Sequence, residues 1–548
     1  MTESAAHAPD APQVESAAPH LLLRSAAIRA IEQQHLAAGA KLMERAGRAA
    51  ANTARAMLRE ATRHPAHVLV LAGPGNNGGD AFEAALHLRQ AGYNVTVWFA
   101  SDSARLPDDA RAAHGKCIAA GGACDKRLPA LDSFDLIIDG LFGIGLKRAL
   151  GAPFSEIVER INQASRVHAI PVLALDVPSG LDADTGMVLG STTGCAIRAT
   201  RTLTFIADKP GLYTLSGPDH AGSVEVATLD LRVDAPADGL QNAGRLTDRA
   251  DFANLLRPRQ RDSHKGSYGT LGIFGGARGM AGAALLAGRA ALKLGAGKVF
   301  IGMLDEFPLA CDPLQPELML RPAEALPGET LSAAVAGPGL GTSPAARELL
   351  LAALALDLPL LLDADALNLI GADPALAQLA ANRAAPTAMT PHPLEAARLL
   401  GISTAAIQQD RIAAAQEIAR RYRASVILKG AGSVIAAPGG AWWINPTGNP
   451  GMASAGMGDV LAGIAGAFLA QPVLPQAEFS QSSAAKTVGR SHSSTDDWLK
   501  PLVGATFLHG AAADSLVARG GGPVGLTASE VIDEARTLWN AWQRTLLL

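Results

Sequence analysis

Apolar positions between Leu21 and about Leu58 recur at helical spacing, and beyond them short apolar, β-rich runs alternate with helical ones. His67 to Leu71, Asn94 to Phe99, Asp135 to Asp139, Pro171 to Asp176 and Thr202 to Ile206 predict buried strands joined by crossover helices. Strands that are apolar throughout, with helices between them, predict a doubly wound parallel sheet over residues 21–235, covered on both faces. The period lapses between about Leu231 and Asp262, in a run of Asp, Pro, Gly and Arg, so a linker is expected over 236–262.

A second series of strands begins at Gly269 to Phe274 and continues with Lys298 to Gly302, Ala333 to Gly337, Leu358 to Asp363 and Ser425 to Lys429. It predicts a second α/β domain over 263–548. Within it, residues 471–500 are polar and rich in serine, which predicts an exposed insertion away from the chemistry. Residues 1–20, rich in Ala and Pro, have no basic stretch followed by an apolar core, so they predict a disordered tail and not a secretory signal.

A length of 548 residues accords with two such domains. Aromatics make up only 4% of the chain, so the cores must be built from small and aliphatic side chains. The net charge of -4, with no basic run, argues against a nucleic-acid partner and favours small-molecule ligands. Cys117, Cys124, Cys195 and Cys311 show no metal-ligand or CxxC spacing and are expected to be reduced, structural thiols. The most apolar stretch, Leu349 to Ile370, is interrupted by Asp357, Pro359, Asp363 and Asp365, so no membrane span is expected and the chain is assigned to the cytoplasm.

Candidate chemistry lies at the strand ends, where open α/β sheets bind ligands. After the first strand, Gly73, Gly75 and Gly78 satisfy GxGxxG, as a Rossmann-like dinucleotide turn would. Asp80 would repel phosphate there, however, and Asn76 and Asn77 add amide donors and acceptors, so the loop suits a polar ring and a cation. Asp139 to Leu146 and Asp176 to Gly186 carry polar groups at two further strand ends. These three segments, with Leu42 to Gly47 and Lys209 to Leu212, resemble the NAD(P)H-hydrate epimerase family. The resemblance implies potassium held by Asn77, Asp139 and Ser179. It also implies substrate along Asn76, Asn77, Gly78, Gly79 and Asp80 and along Gly143, Ile144, Gly145, Leu146, Lys147, Arg148 and Ala149, with Asp176 as the proton-transfer group. Ala81 stands where that family commonly has glycine, and Ile144 where threonine is common.

In the second half, Asn445 to Asp459 is a glycine-rich loop running into an apolar helical segment, Val460 to Leu469. Such a helix start directs N–H groups at an anion, and Asp459 there is expected to stay ionised and to orient or deprotonate an attacking hydroxyl. With Gly275 to Gly282, Gly337 to Gly341 and Lys429 to Ser433 it resembles the ribokinase-like superfamily. His264 to Gly269, Asp363 to Asn368 and Thr390 to Glu395 are similar to that superfamily's NAD(P)H-hydrate dehydratase branch. The resemblance implies hydrated cofactor at Ala283, Gly339, His392 and Asp459. It places ADP or ATP, with Mg2+, at Lys429, Gly430, Ala431, Gly432, Ser433 and Gly458. A bifunctional repair enzyme for hydrated NADH and NADPH, assembled as a homo-oligomer, is the expectation. The alternative is a ribokinase-like vitamin-precursor or sugar kinase with a non-catalytic first domain.

Overall fold

The structure, a computed structural model, describes residues 20–60, 65–190, 193–233, 243–305, 309–471 and 498–545. The expected tail and nearly all of the serine-rich insertion lie outside these residues. Seven parallel strands form one sheet, in the order Cys124–Asp125, Asn94–Trp98, His67–Ala72, Leu136–Gly140, Val172–Leu175, Arg201–Phe205 and Ser223–Ala227. The chain winds outward from His67–Ala72 and then restarts on its other side at Leu136–Gly140. That reversal leaves a crevice between the carboxyl ends of the two strands. Val68 and Val70 face one apolar cluster and Leu69 and Leu71 another, so both faces are covered as the unbroken apolar runs require.

The second sheet has eleven strands, in the order Leu21–Leu22, Gly244–Leu246, Trp442–Ile444, Val434–Ala436, Ser425–Leu428, Thr387–Met389, Leu360–Leu362, Ala333–Ala336, Thr270–Gly275, Lys298–Met303 and Met319–Pro322. From Ser425–Leu428 to Met319–Pro322 all neighbours are parallel. The chain again reverses direction, here between Thr270–Gly275 and Ala333–Ala336. Every strand expected from the sequence is present in one sheet or the other, and the α/β class holds for both halves.

Three local expectations change. The helical spacing of 21–58 is not one helix: Leu21–Leu22 is a strand, and Ser25–Ala37 and Leu42–Met57 are separate helices turned by Gly39 at φ +84. Leu21–Leu22 pairs with Gly244–Leu246 and therefore belongs to the second sheet. The described part of the segment expected as a linker is also structural. Gly244–Leu246 pairs with Trp442–Ile444, and Arg249–Leu255 forms a turn of helix whose Phe252 is fully buried against Phe468, Trp539 and their neighbours. Segments this short carry no period for a sequence reading to detect. Among the described residues no helix is long and apolar enough to cross a membrane.

Candidate active sites

In the first half, the crevice at the strand reversal gathers the three polar segments. The helix begins at Asn76, so Asn76 to Asp80 form its first turn and not a loop preceding it. Glycine is needed at Gly73 because a Cβ there would overlap the Leu141 carbonyl, and at Gly78 because it would overlap the Gly73 carbonyl. These close approaches press the helix start onto the segment after Asp139.

Asp139 is fully buried at the end of its strand and accepts from Ser179 N–H (2.9 Å), Ser179 Oγ (2.7 Å) and Leu141 N–H (3.2 Å). Burial pushes its carboxyl up to about 6, against those hydrogen bonds. Asn77 donates through Nδ2 to the Leu175 carbonyl at 3.2 Å, while its Oδ1 is buried without a partner. An orphaned amide oxygen and a buried, under-compensated carboxylate make a set of oxygen donors that fits a weakly hydrated monovalent cation. Gly143 lies over the same place: a Cβ on it would be 2.6 Å from Asp176 Oδ2 and 3.4 Å from Asn77 Oδ1.

Asp176, at φ +66, accepts from Ile144 N–H at 3.0 Å and pairs with the fully buried Lys209 ammonium at 2.7 Å. Sequence reasoning assigned Lys209 no role; only the fold brings it under Asp176. Asp80 is pushed well above the ordinary carboxylate range by burial and by the charges of Asp176, Glu32 and Glu83. The crevice therefore sets a carboxyl with a raised pKa near an ion-paired carboxylate.

Both departures from the family pattern are accommodated. Ala81 occupies space left by Gly140, and Ile144 meets Asp176 through its backbone N–H, which any residue supplies. Lys147 is turned to Asp182 (3.3 Å) and Asp184 (3.4 Å), and Arg148 and Ala149 are exposed at the rim.

In the second half, the helix Met457–Ala470 starts after Gly456 at φ +87, placing Asp459 in its first turn. It packs along the helix Ala281–Lys293, with Gly463 against the Ala287 backbone. Ala283, in the first turn of that helix, adjoins Gly339 at φ +59. A Cβ on Gly458 would be 3.5 Å from the Lys429 ammonium. That ammonium turns inward to Asp363 Oδ1 (2.7 Å) and Glu395 Oε2 (3.8 Å), and Thr390 Oγ1 donates to the same Asp363 oxygen at 2.7 Å. Asp363 and Thr390 lay in motifs noted from the sequence but had been given no role.

Burial and the Asp363 charge raise Asp459 to about 6, with Lys429 opposing. At about 6 the Asp459 carboxyl lies close enough to neutral pH to exchange a proton. His392 caps the helix Pro393–Leu400: its Nδ1 accepts the N–H groups of Leu394 and Glu395, and Glu395 Oε2 accepts the His392 N–H at 2.7 Å. Burial and Lys429 lower the His392 pKa, so the ring is neutral with its proton on Nε2, 3.3 Å from Glu395 Oε1. Glu395 is raised to about 7 by burial.

All four cysteines are free, and burial raises the thiols of Cys117, Cys124 and Cys195, Cys124 to about 11. Among the described residues no group of three His, Cys, Asp or Glu side chains converges on a metal position.

Residues 39–211 match the family model described as YjeF-related protein N-terminus, and residues 271–536 match that of NAD(P)H-hydrate dehydratase. The bifunctional NAD(P)H-hydrate repair enzyme Nnr of Coxiella burnetii is 37% identical over 530 residues, covering 95% of this chain and 99% of its own length. The Escherichia coli enzyme of that name is 37% identical, covering 91% and 89%, and the Leishmania major bifunctional NAD(P)H-hydrate repair enzyme 34%, covering 91% and 89%. Among solved structures, the ADP/ATP-dependent NAD(P)H-hydrate dehydratase from Bacillus subtilis, co-crystallised with ATP/Mg2+, is 29% identical. It covers 54% of this chain and 99% of its own, with a TM-score of 0.43. With both halves matched in order and nearly the whole of such a relative spanned, the chain belongs to the family of bifunctional NAD(P)H-hydrate repair enzymes, an epimerase half followed by a dehydratase half.

Proposed function

We propose that the first half interconverts the R and S hydrates of NADH and NADPH at C6 and the second half returns the S hydrate to the reduced cofactor. The observation that carries the second step is Asp459, a carboxylate held at about 6 in the first turn of a glycine-fed helix beside Lys429 and Asp363. Asp459 takes the proton of the C6 hydroxyl while the oxygen attacks the terminal phosphoryl of ADP or ATP, and the shorter nucleotide departs. The C6–O bond then breaks with its electron pair on phosphate, and loss of a C5 proton re-forms the ring double bond. The backbone N–H groups at the start of Met457–Ala470 meet the transferring phosphoryl group. Mg2+ bound with the nucleotide would supply the counter-charge of its phosphates.

In the first half, Asp176 serves as base and Asp80 as acid on the ring, a division supported by the Lys209 ion pair at the one and by the raised pKa of the other. Asn77, Asp139 and Ser179 would hold potassium, which supplies a fixed positive charge beside the substrate. Lys147 to Ala149 form the outer rim of this site, and Lys429 contributes to the dehydratase site through its ammonium as well as its backbone.

The purified chain, given both hydrate epimers and ATP, is expected to return all of the reduced nicotinamide absorbance with release of inorganic phosphate. Conversion that stalls at the S share would remove the epimerase assignment. A stable phosphoester in place of phosphate would favour a simple kinase.

A further inference from the structure

The segment after Lys209 touches both halves of the chain. The Lys209 ammonium is bound by Asp176, by Thr204 Oγ1 (2.8 Å) and by the Phe205 carbonyl (2.6 Å). A few residues on, the Tyr213 hydroxyl donates to Asp208 Oδ1, and the Tyr213 side chain packs on two cores at once. One is the small apolar cluster of Val177, Leu181 and Leu212 in the first half, and the other is a core of the second sheet. The backbone then meets the loop Lys429–Ser433. Leu215 N–H donates to the Ala431 carbonyl at 3.2 Å, and Gly432, at φ +63, lies so close to Tyr213 that a Cβ there would overlap the Tyr213 carbonyl. From the inner side the same loop is held by the buried Arg411, which donates to the carbonyls of Leu428 (3.1 Å) and Gly432 (3.4 Å). Arg411 begins a helix capped by Asp410, and Asp410 is gripped by Arg24 of the first half through two bonds of 2.7 and 2.9 Å.

We propose that Tyr213 and Leu215 are positioning residues for the adenine-nucleotide loop, so that the epimerase half supplies part of the scaffold of the dehydratase's phosphoryl-donor site. The proposal rests on the reading of Lys429–Ser433 as that loop. Gly430 at φ +146 and Gly432 at φ +63 leave its backbone a wide range of conformations. An anchor at Leu215 outside and another at Arg411 inside restrict that range before the nucleotide arrives, which lowers the ordering cost of binding. Leu215 is itself at φ +53, a conformation a leucine keeps only when its surroundings impose it, and the packed Tyr213 ring is the adjacent constraint. The segment touches the loop at Ala431 and Gly432, whereas the Lys429 ammonium is held by Asp363 and Glu395. Loosening it therefore weakens nucleotide capture and spares the chemical step.

The test is steady-state dehydration of the S hydrate by the full-length chain at varied ATP. Tyr213→Ala is expected to raise the KM for ATP at least about fivefold with kcat within about twofold, and Tyr213→Phe, which keeps the ring in both cores, to restore the wild-type KM. Should Tyr213→Ala not fold, Tyr213→Leu is read in its place, with a KM rise of about threefold expected. In parallel, an azido-ATP photoprobe is expected to label the Lys429–Ser433 peptide of the wild type. Label on that loop with an unchanged KM in the folded variant, or a fall in kcat alone, overturns the positioning role and leaves the loop reading standing. Label elsewhere overturns both.

Discussion

Asp459 and Asp139 are both carboxyls raised to about 6, and their neighbours give them opposite tasks. Asp459 faces Lys429 across the start of a helix, and the base role proposed for it requires the deprotonated form. Dehydration at low substrate is therefore expected to fall about tenfold for each pH unit below about 6, and Asp459→Asn to lose roughly 10²- to 10⁴-fold while still binding nucleotide. A loss of only a few fold in stopped assays, with titration calorimetry showing intact ATP binding, would remove the base role. Asp139 has hydrogen-bond donors but no cation beside it among the described residues. Because its folded pKa lies above the unfolded one, the stability it contributes is full at pH below about 4 and is lost as pH rises through about 6. A potassium ion held there, as proposed, would offset that loss. Potassium is thus expected to raise the melting temperature more at pH 7.5 than at pH 5, and Asp139→Asn to reduce that gain and to need more potassium for its best epimerase rate. Superimposable potassium titrations of wild type and Asp139→Asn would show the ion lies elsewhere. The identities of both carboxylates were legible from their motifs; their pKa values were not, since burial is a property of the assembled fold.

The first-half site depends on how closely one helix start is pressed to a neighbouring strand end. Gly73 and Gly140 make the approach possible, the second by leaving room for Ala81, which is itself fully buried. Gly140→Ala would force two Cβ atoms into one space. It is expected to cost about 1–3 kcal/mol and to abolish most epimerisation, with dehydration of pure S hydrate unchanged. Calorimetry and the two separate assays check it, and an active epimerase in Gly140→Ala would mean that the helix start tolerates displacement. The sequence pattern marked Gly73 as a glycine of a GxGxxG turn and Gly140 only as part of a polar strand end. Their contacts, Gly73 with Leu141 beyond a neighbouring strand and Gly140 with Ala81 of the helix, are long-range facts that no local window contains. The split of the first helical stretch at Gly39 is a similar case: the apolar spacing continues across the turn while the backbone does not.

At the scale of the molecule, the chain lays down Leu21–Leu22, builds the epimerase sheet, and returns through Gly244–Leu246 to the sheet where it began. A dehydratase fragment cut at residue 263 would lack both strands and Phe252, whose ring packs near those of Phe507, Trp539 and Trp542. Loss of a buried phenylalanine alone costs about 3–5 kcal/mol. The fragment 263–548 is therefore expected to melt well below 243–548, and the full chain above both; equal melting temperatures would show the added segment to be passive. Fold class and strand content could be read from the sequence by itself, because apolar period and glycine-rich strand ends are local signals that each segment carries alone. What only the tertiary structure decided was partnership. Lys209 under Asp176, Lys429 between Asp363 and Glu395, the crossing of Leu21–Leu22 into the second sheet and Leu215 on the Lys429–Ser433 loop all join residues far apart in sequence or turned together by packing, and burial sets their charge states only once those contacts exist.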